Sequence, residues 1–60
     1  MNIQYLKDFC ADKITSHPKL QARIIEYFIL ATDEIEEGGS EQHEVELAIG
    51  SINELINENI

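Results

Sequence analysis

The stretch Ile24-Ile25-Glu26-Tyr27-Phe28-Ile29-Leu30-Ala31 is the most hydrophobic run of this 60-residue chain, and it decides the fold. On a helix, at about 100° per residue, apolar side chains around this stretch occupy an arc of roughly 220°, about twice the width found on an ordinary surface helix. One stripe comprises Leu20, Ile24, Tyr27, Phe28, Ala31 and Ile35, and Ala22, Ile25 and Ile29 extend it to the opposite side. We therefore expect two other helices, or one helix and a second copy of the chain, to cover this helix.

Apolar periodicity on either side of the central stretch predicts two further helices. Three- and four-residue spacing of apolar residues near the start indicates a helix over about 2–15, with a face of Ile3, Leu6, Cys10 and Ile14 and with Phe9 beside it. The central helix is predicted over about 18–37, because Pro18 suits a first helical turn and Ser16 or His17 can cap it.

Gly38-Gly39-Ser40 predicts the end of the central helix and the start of a third, since glycine ends helices and serine is a good N-cap. The third helix is predicted over about 41–57, with an apolar face of Val45, Ala48, Ile49, Ile52, Leu55 and Ile56. The sequence thus predicts one all-α domain over 1–60, in which a short N-terminal helix packs on a long antiparallel helix hairpin.

The small size of the chain predicts self-association. A domain of 60 residues buries only about 60% of the surface that its unfolded chain exposes, so its stability is marginal without further support. Cys10 is the single cysteine and excludes a disulfide within the chain, so we expect a homodimer. The lone cysteine, the lack of a signal-peptide pattern and the lack of an apolar run near 18 residues predict a cytoplasmic protein without membrane contact.

The charge is strongly negative and unevenly distributed. The chain has 12 acidic residues against four Lys and Arg, and residues 32–60 contain nine of the acids and no Lys or Arg. Such a field repels phosphates, so we expect no direct nucleic-acid binding and no attraction to anionic membranes. A helix-turn-helix DNA reader is disfavoured for the same reason, because its recognition helix would be 41–57. The charge favours a basic protein surface as the partner.

The candidate binding residues surround Gly38-Gly39. They are Asp33, Glu34, Glu36, Glu37, Glu41, Glu44 and Glu46, with Leu47 beside them. Acids in the last turns of a helix oppose its macrodipole, at about 0.3–1 kcal/mol each, and a local conflict of this kind points to a functional demand. Two interpretations stay open: a solvated face that maintains solubility, and a docking surface for a basic, nucleic-acid-binding groove of a partner.

No catalytic or metal-binding pattern emerges from the sequence. Asp33, Glu37, Gly38 and Glu44 match positions 1, 5, 6 and 12 of an EF-hand loop, but Ile35 occupies the third-ligand position, so we expect no calcium site. His43 lacks ligand partners at helical spacing, and Cys10 lies within an apolar stripe without a base. We therefore expect neither a cofactor nor enzymatic activity.

In size, charge and lack of catalytic motifs, the chain resembles the small acidic inhibitors made by phages and mobile elements, including anti-CRISPR and DNA-mimic proteins. The resemblance implies an inhibitor or adaptor and assigns no residues. The alternative is a homo-oligomeric helical scaffold or interaction module with apolar contacts through Tyr5, Leu30 or Leu47. Leu47 is then either a lone exposed leucine or part of a contact strip formed by His43, Leu47, Gly50 and Glu54, in which Gly50 lets another backbone approach.

Overall fold

The computed structural model describes residues 2–60, which form three α-helices and no β-strand. Helix α1 spans Ile3–Ser16, α2 spans Gln21–Glu36 and α3 spans Glu41–Glu58. A 3-10 turn, Pro18–Leu20, precedes α2, so the central α-helix begins three residues later than the position of Pro18 predicts. The predicted three-helix, all-α fold class is confirmed.

Side-chain caps fix two of the helix starts. The Asn2 side chain accepts a hydrogen bond from the Tyr5 N–H at 2.9 Å at the start of α1. Ser40 caps α3 as predicted, and its hydroxyl accepts from the His43 N–H at 3.3 Å. The prediction that Ser16 or His17 caps the central helix is wrong, because His17 makes no side-chain cap bond there. His17 instead ends α1, where its backbone N–H donates to the Lys13 carbonyl.

The predicted glycine stop after α2 is a tight turn closed by backbone hydrogen bonds. Gly38 has a φ of 100°, a conformation that glycine adopts without steric cost. Its N–H donates to the Ile35 carbonyl at 3.1 Å, and the Gly39 N–H donates to the Glu34 carbonyl at 2.8 Å. These two bonds satisfy carbonyl groups that the end of α2 would otherwise leave unpaired.

The buried core draws on the predicted face of every helix. Helix α3 supplies more than half of the buried apolar residues described, and α2, the most hydrophobic helix, supplies only two. The core comprises Leu6 and Cys10 of α1, Ile24 and Ala31 of α2, and Val45, Ala48, Ile52, Leu55 and Ile56 of α3.

Each helix contacts the other two, and α2 and α3 run in opposite directions. Arg23, near the start of α2, lies beside Glu54 and Glu58 of α3, and Glu34, near the end of α2, lies beside Glu44. The domain measures 34 × 18 × 17 Å. Over the described residues, no helix combines the length and apolar character that crossing a bilayer requires.

The cover expected on the second side of α2 does not come from within the chain. Ile25, Ile29 and Leu30 keep 39%, 50% and 54% of their surface exposed. The reason is geometric, since α1 and α3 must also contact one another and therefore approach α2 from neighbouring sides around Ile24 and Ala31. The outward side of α2 stays open.

Candidate protein-binding site

The main candidate site is an open groove between α2 and α3, which we call the α2–α3 groove. Its volume is about 360 Å³. Residues one turn apart on each helix line it: Tyr27, Leu30, Ala31 and Glu34 from α2, and Glu44, Leu47, Ala48 and Ser51 from α3. The groove therefore combines two of the predicted acidic residues, Glu34 and Glu44, with apolar side chains from both helices.

Residue size shapes the centre of the groove. Ala31 and Ala48 are buried and form its floor, because their single methyl groups leave space above the contact between the two helices. Leu30 and Leu47 rise on either side and are 54% and 53% exposed. A trough with a small-residue floor and leucine walls is suited to receive apolar side chains of another molecule.

Carboxylates lie at both ends of the trough. Glu34 and Glu44 line it near the Gly38-Gly39 turn. Beyond Tyr27, a second cavity of about 230 Å³ is lined by Arg23, Glu54 and Glu58 among others. The Arg23 guanidinium carbon lies 5.9 Å from the centroid of the Tyr27 ring, and its Nη2 donates to the Tyr27 hydroxyl at 3.4 Å. Acidic groups thus outnumber the one basic group along the groove.

The structure brings only part of the predicted acidic set together. Glu34, Glu44 and Leu47 meet in the α2–α3 groove. Glu41 instead contacts α1, and its Oε2 accepts a hydrogen bond from the Ile3 N–H at 2.7 Å.

The other predicted acids lie on different sides of the molecule. Glu36 and Glu41 line a cavity beside α1. Asp33, Glu37 and Glu46 are exposed to solvent. The predicted acidic residues therefore lie on several sides of the molecule. Of these, Glu34 and Glu44 flank the apolar trough of the α2–α3 groove.

The sequence indicates Leu30 and Leu47 separately as candidates for apolar contacts, whereas the structure places both on the α2–α3 groove. A usable signal exists in the spacing. The two leucines lie nearly the same number of residues before and after Gly38-Gly39, as do Glu34 and Glu44. Residues that lie equally far before and after a tight turn come together when the two helices run antiparallel. The distance of each residue from Gly38-Gly39 in the sequence therefore predicts which residues of α2 and α3 line the groove.

The contact strip predicted around Gly50 does not form a single cavity. Leu47 lines the α2–α3 groove, Glu54 lies with Arg23 in the neighbouring cavity, and His43 is exposed. A Cβ placed on Gly50 would meet no atom within 4 Å. Within this chain, Gly50 faces open space.

The groups that the sequence offers for metal binding or nucleophilic attack are few. Across positions 2–60, no three His, Cys, Asp or Glu side chains gather closely enough to hold a metal ion. Cys10 is 6% exposed, and burial raises the pKa of its thiol above the ordinary value. The thiol is therefore protonated at neutral pH, which makes it a poor nucleophile.

Comparison of the chain with protein-family models, with curated proteins and with solved structures gives no significant match. A proposal about function therefore rests on the chain's own residues, and above all on the α2–α3 groove.

Proposed function

We propose that this chain is a small acidic inhibitor or adaptor, of the kind that phages and mobile elements make, which binds a basic surface of a partner protein through the α2–α3 groove. The observation that carries the proposal is the pairing of Leu30 with Leu47 above a floor of alanines, with Glu34 and Glu44 at one end. Exposed apolar side chains rimmed by charge are typical of protein-binding surfaces.

The dimensions of the groove suit a short amphipathic helix. From Arg23 to Glu34 the rise along α2 is about 16 Å, which corresponds to about three turns of a bound helix. Such a helix would place apolar residues between Leu30 and Leu47, as in other helix-in-groove complexes. Lys or Arg at its ends would meet Glu34 and Glu44 on one side and Glu54 and Glu58 on the other.

The charge of the chain supports a basic partner. Residues 32–60 contain no Lys or Arg, so no base from this segment competes for the groove carboxylates. A uniformly negative field also accelerates encounter with a basic surface. Surfaces that bind nucleic acids are basic, and a protein that occupies such a surface would inhibit nucleic-acid binding by the partner.

The proposal is tested with a labelled amphipathic peptide that carries two leucines at helical spacing and arginines at both ends. We expect binding, measured by fluorescence anisotropy, to weaken about tenfold or more between low and moderate salt. Glu34→Lys with Glu44→Lys should abolish it. Asp33→Lys with Glu46→Lys makes the same change in net charge outside the groove, and should leave most of the affinity.

Equal losses in the two double variants would show that only the overall field attracts the peptide, and would remove the groove from the proposal. A peptide affinity that does not change with salt concentration would also contradict the proposal that the partner surface is basic.

The second candidate function is a helical scaffold that assembles through apolar contacts, and the half-exposed Leu30 and Leu47 favour it. Leu30→Asp or Leu47→Asp should then abolish assembly, and the glutamate substitutions should have little effect. Assembly that persists in both leucine variants would exclude this alternative.

A further inference from the structure

We infer that the outward side of α2 binds a second copy of this chain, with the two α2 helices antiparallel. This inference goes beyond the proposed function, because it concerns a different side of α2 from the α2–α3 groove. It begins with four residues that we call the α2 seam: Ala22, Ile25, Ile29 and Thr32. Their spacing of three, four and three residues is that of the contact positions in a two-stranded coiled coil.

The α2 seam is apolar and open. Ala22 is exposed, and Ile25 and Ile29 keep 39% and 50% of their surface accessible. Thr32 also suits an apolar contact, because its hydroxyl already donates to the Ile29 carbonyl at 2.8 Å. Burying that hydroxyl against another helix would leave no donor unsatisfied.

Grooves beside the seam can receive side chains from a second copy. One, of about 170 Å³, lies between α1 and α2 and is lined by Lys7, Cys10, Ala11, Ile14, Ile25 and Phe28. Another, of about 280 Å³, lies towards the end of α2 beside Thr32 and Ile35. In a two-fold pair, Ile25 and Ile29 of each copy would pack against the α2 seam of the other copy and into the grooves beside it, as knobs pack into holes in a coiled coil.

Charge complementarity selects a second copy in one orientation. Glu26 and Asp33 lie seven residues apart on α2 and so share one flank of the seam, and Lys19 lies in the 3-10 turn just before the start of α2. In an antiparallel pair with Ile25 of each copy beside Ile29 of the other, Lys19 of each copy lies near Asp33 of the other. Two-fold symmetry makes two such pairs. In a parallel pair this flank of each copy would face the opposite flank of the other, so these contacts between Lys19 and Asp33 would not form.

The termini of α2 favour the same arrangement. The first turn of α2 contains no acidic residue and its last turn contains no basic one, so its own charges do not complement the helix dipole. An antiparallel neighbour brings Asp33 towards the start of α2 and Lys19 towards its end. Both contacts complement the dipole.

The expected dimer is weak. The long side of the domain measures 34 × 18 Å, so an interface confined to it buries roughly 1,200 Å² in total, at the small end of specific interfaces. Glu26 adds to the weakness, because it lies at the middle of the charged flank and approaches the same residue of the other copy. Removing that charge should tighten the dimer.

The first experiment is sedimentation velocity of the full chain from roughly 10 µM to 1 mM. We expect the weight-average mass to rise from monomer towards dimer. Ile29→Asp should stay monomeric throughout. Leu47→Asp is the matched control, since Leu47 is as exposed as Ile29 but lies in the α2–α3 groove, and it should still dimerise.

Circular dichroism would establish that both variants remain folded. A wild-type chain that stays monomeric at the highest concentration, or dimerisation that survives Ile29→Asp, would overturn the inference. Neither result would affect the peptide-binding test of the proposed function, which can be carried out on the monomer.

The second experiment tests the orientation. Lys19→Glu and Asp33→Lys should each raise the dimer Kd about tenfold at low salt, because each creates two pairs of like charges. The double variant should return to the wild-type Kd, and Glu26→Gln should dimerise more tightly than wild type. Failure of the double variant to recover, or weaker dimerisation of Glu26→Gln, would overturn the antiparallel arrangement.

Discussion

Gly39 and Gly50 show how differently one residue type is used in a 60-residue chain. A Cβ on Gly39 would lie 2.7 Å from the Glu34 carbonyl oxygen, so the turn after α2 requires glycine there. Gly50 lies inside α3 and faces open space. The first glycine is needed for the close approach of two backbone segments, whereas the second only weakens its helix.

Alanine substitution at these two positions should therefore change stability in opposite directions. We expect Gly39→Ala to lower the free energy of unfolding by about 1–3 kcal/mol, because the turn must shift to admit the methyl group. Gly50→Ala should raise it by about 1 kcal/mol, and the melting temperature by about 4–8 °C. Thermal melts followed by circular dichroism measure both changes.

Dilute protein is needed for these melts, so that they report on the monomer. A destabilised Gly50→Ala variant would contradict the structure, because it would mean that another group already fills the space beside α3.

At the residue level, the sequence was informative where the interaction is local. The Gly38-Gly39 stop and the Ser40 cap depend on neighbours within five residues, and both are present as predicted. The bond from the Ile3 N–H to Glu41 joins residues 38 positions apart, and no sequence pattern indicates it. The sequence therefore predicts only partner binding for Glu41, whereas in the structure its carboxylate also bonds the start of α1.

At the level of elements, Glu41 connects the starts of two helices. It belongs to the first turn of α3, and its carboxylate accepts a hydrogen bond at the first turn of α1, which has no acidic residue of its own. A negative charge at that position complements the α1 dipole and satisfies a free N–H. The contact therefore fastens α1 to the bend between α2 and α3.

Neutralising Glu41 should loosen this connection. We expect Glu41→Gln to lower the free energy of unfolding by about 0.5–1.5 kcal/mol, because a charge-assisted bond becomes a weaker neutral one at an exposed site. Urea denaturation would measure the loss. Glu46→Gln removes the same charge from an exposed position on α3 and should change stability by less than about 0.5 kcal/mol. Equal effects of the two substitutions would mean that net charge alone matters.

The helices themselves were predictable, and the surfaces they leave open were only partly so. Periodicity and caps are local signals, which is why the buried faces of α1 and α3 follow the sequence closely. The width of the apolar arc of α2 predicts cover on both sides, whereas the other two helices of the chain leave Ile25 and Ile29 39% and 50% exposed. The arc does not predict which sides of α2 are covered by α1 and α3, because those positions depend on how the three helices pack around Ile24 and Ala31.

At the scale of the whole molecule, the single chain is compact. The accessible surface is 4084 Å², close to the roughly 4,000 Å² expected of a compact monomer of 6.8 kDa. A second copy at the α2 seam would thus add buried surface to a domain that is already compact.

The net charge of −8 should make the stability of the monomer depend on salt. Nine acids without a base in residues 32–60 repel one another, and mobile ions screen that repulsion. We expect the melting temperature to rise by a few degrees between roughly 20 and 500 mM NaCl. Asp33→Asn with Glu36→Gln and Glu37→Gln should reduce this rise, and a melting temperature that falls with added NaCl would show that attractive charge pairs dominate.

The α2–α3 groove and the α2 seam occupy different sides of one helix, which has a consequence for valency. An antiparallel pair joined at the seam would carry two grooves related by a two-fold axis, so each particle could hold two target molecules at once. On a densely coated surface the second engagement would be intramolecular, and retention would exceed that of a single domain without any new contact. Targets that are themselves paired, or repeated along a filament, would be bridged.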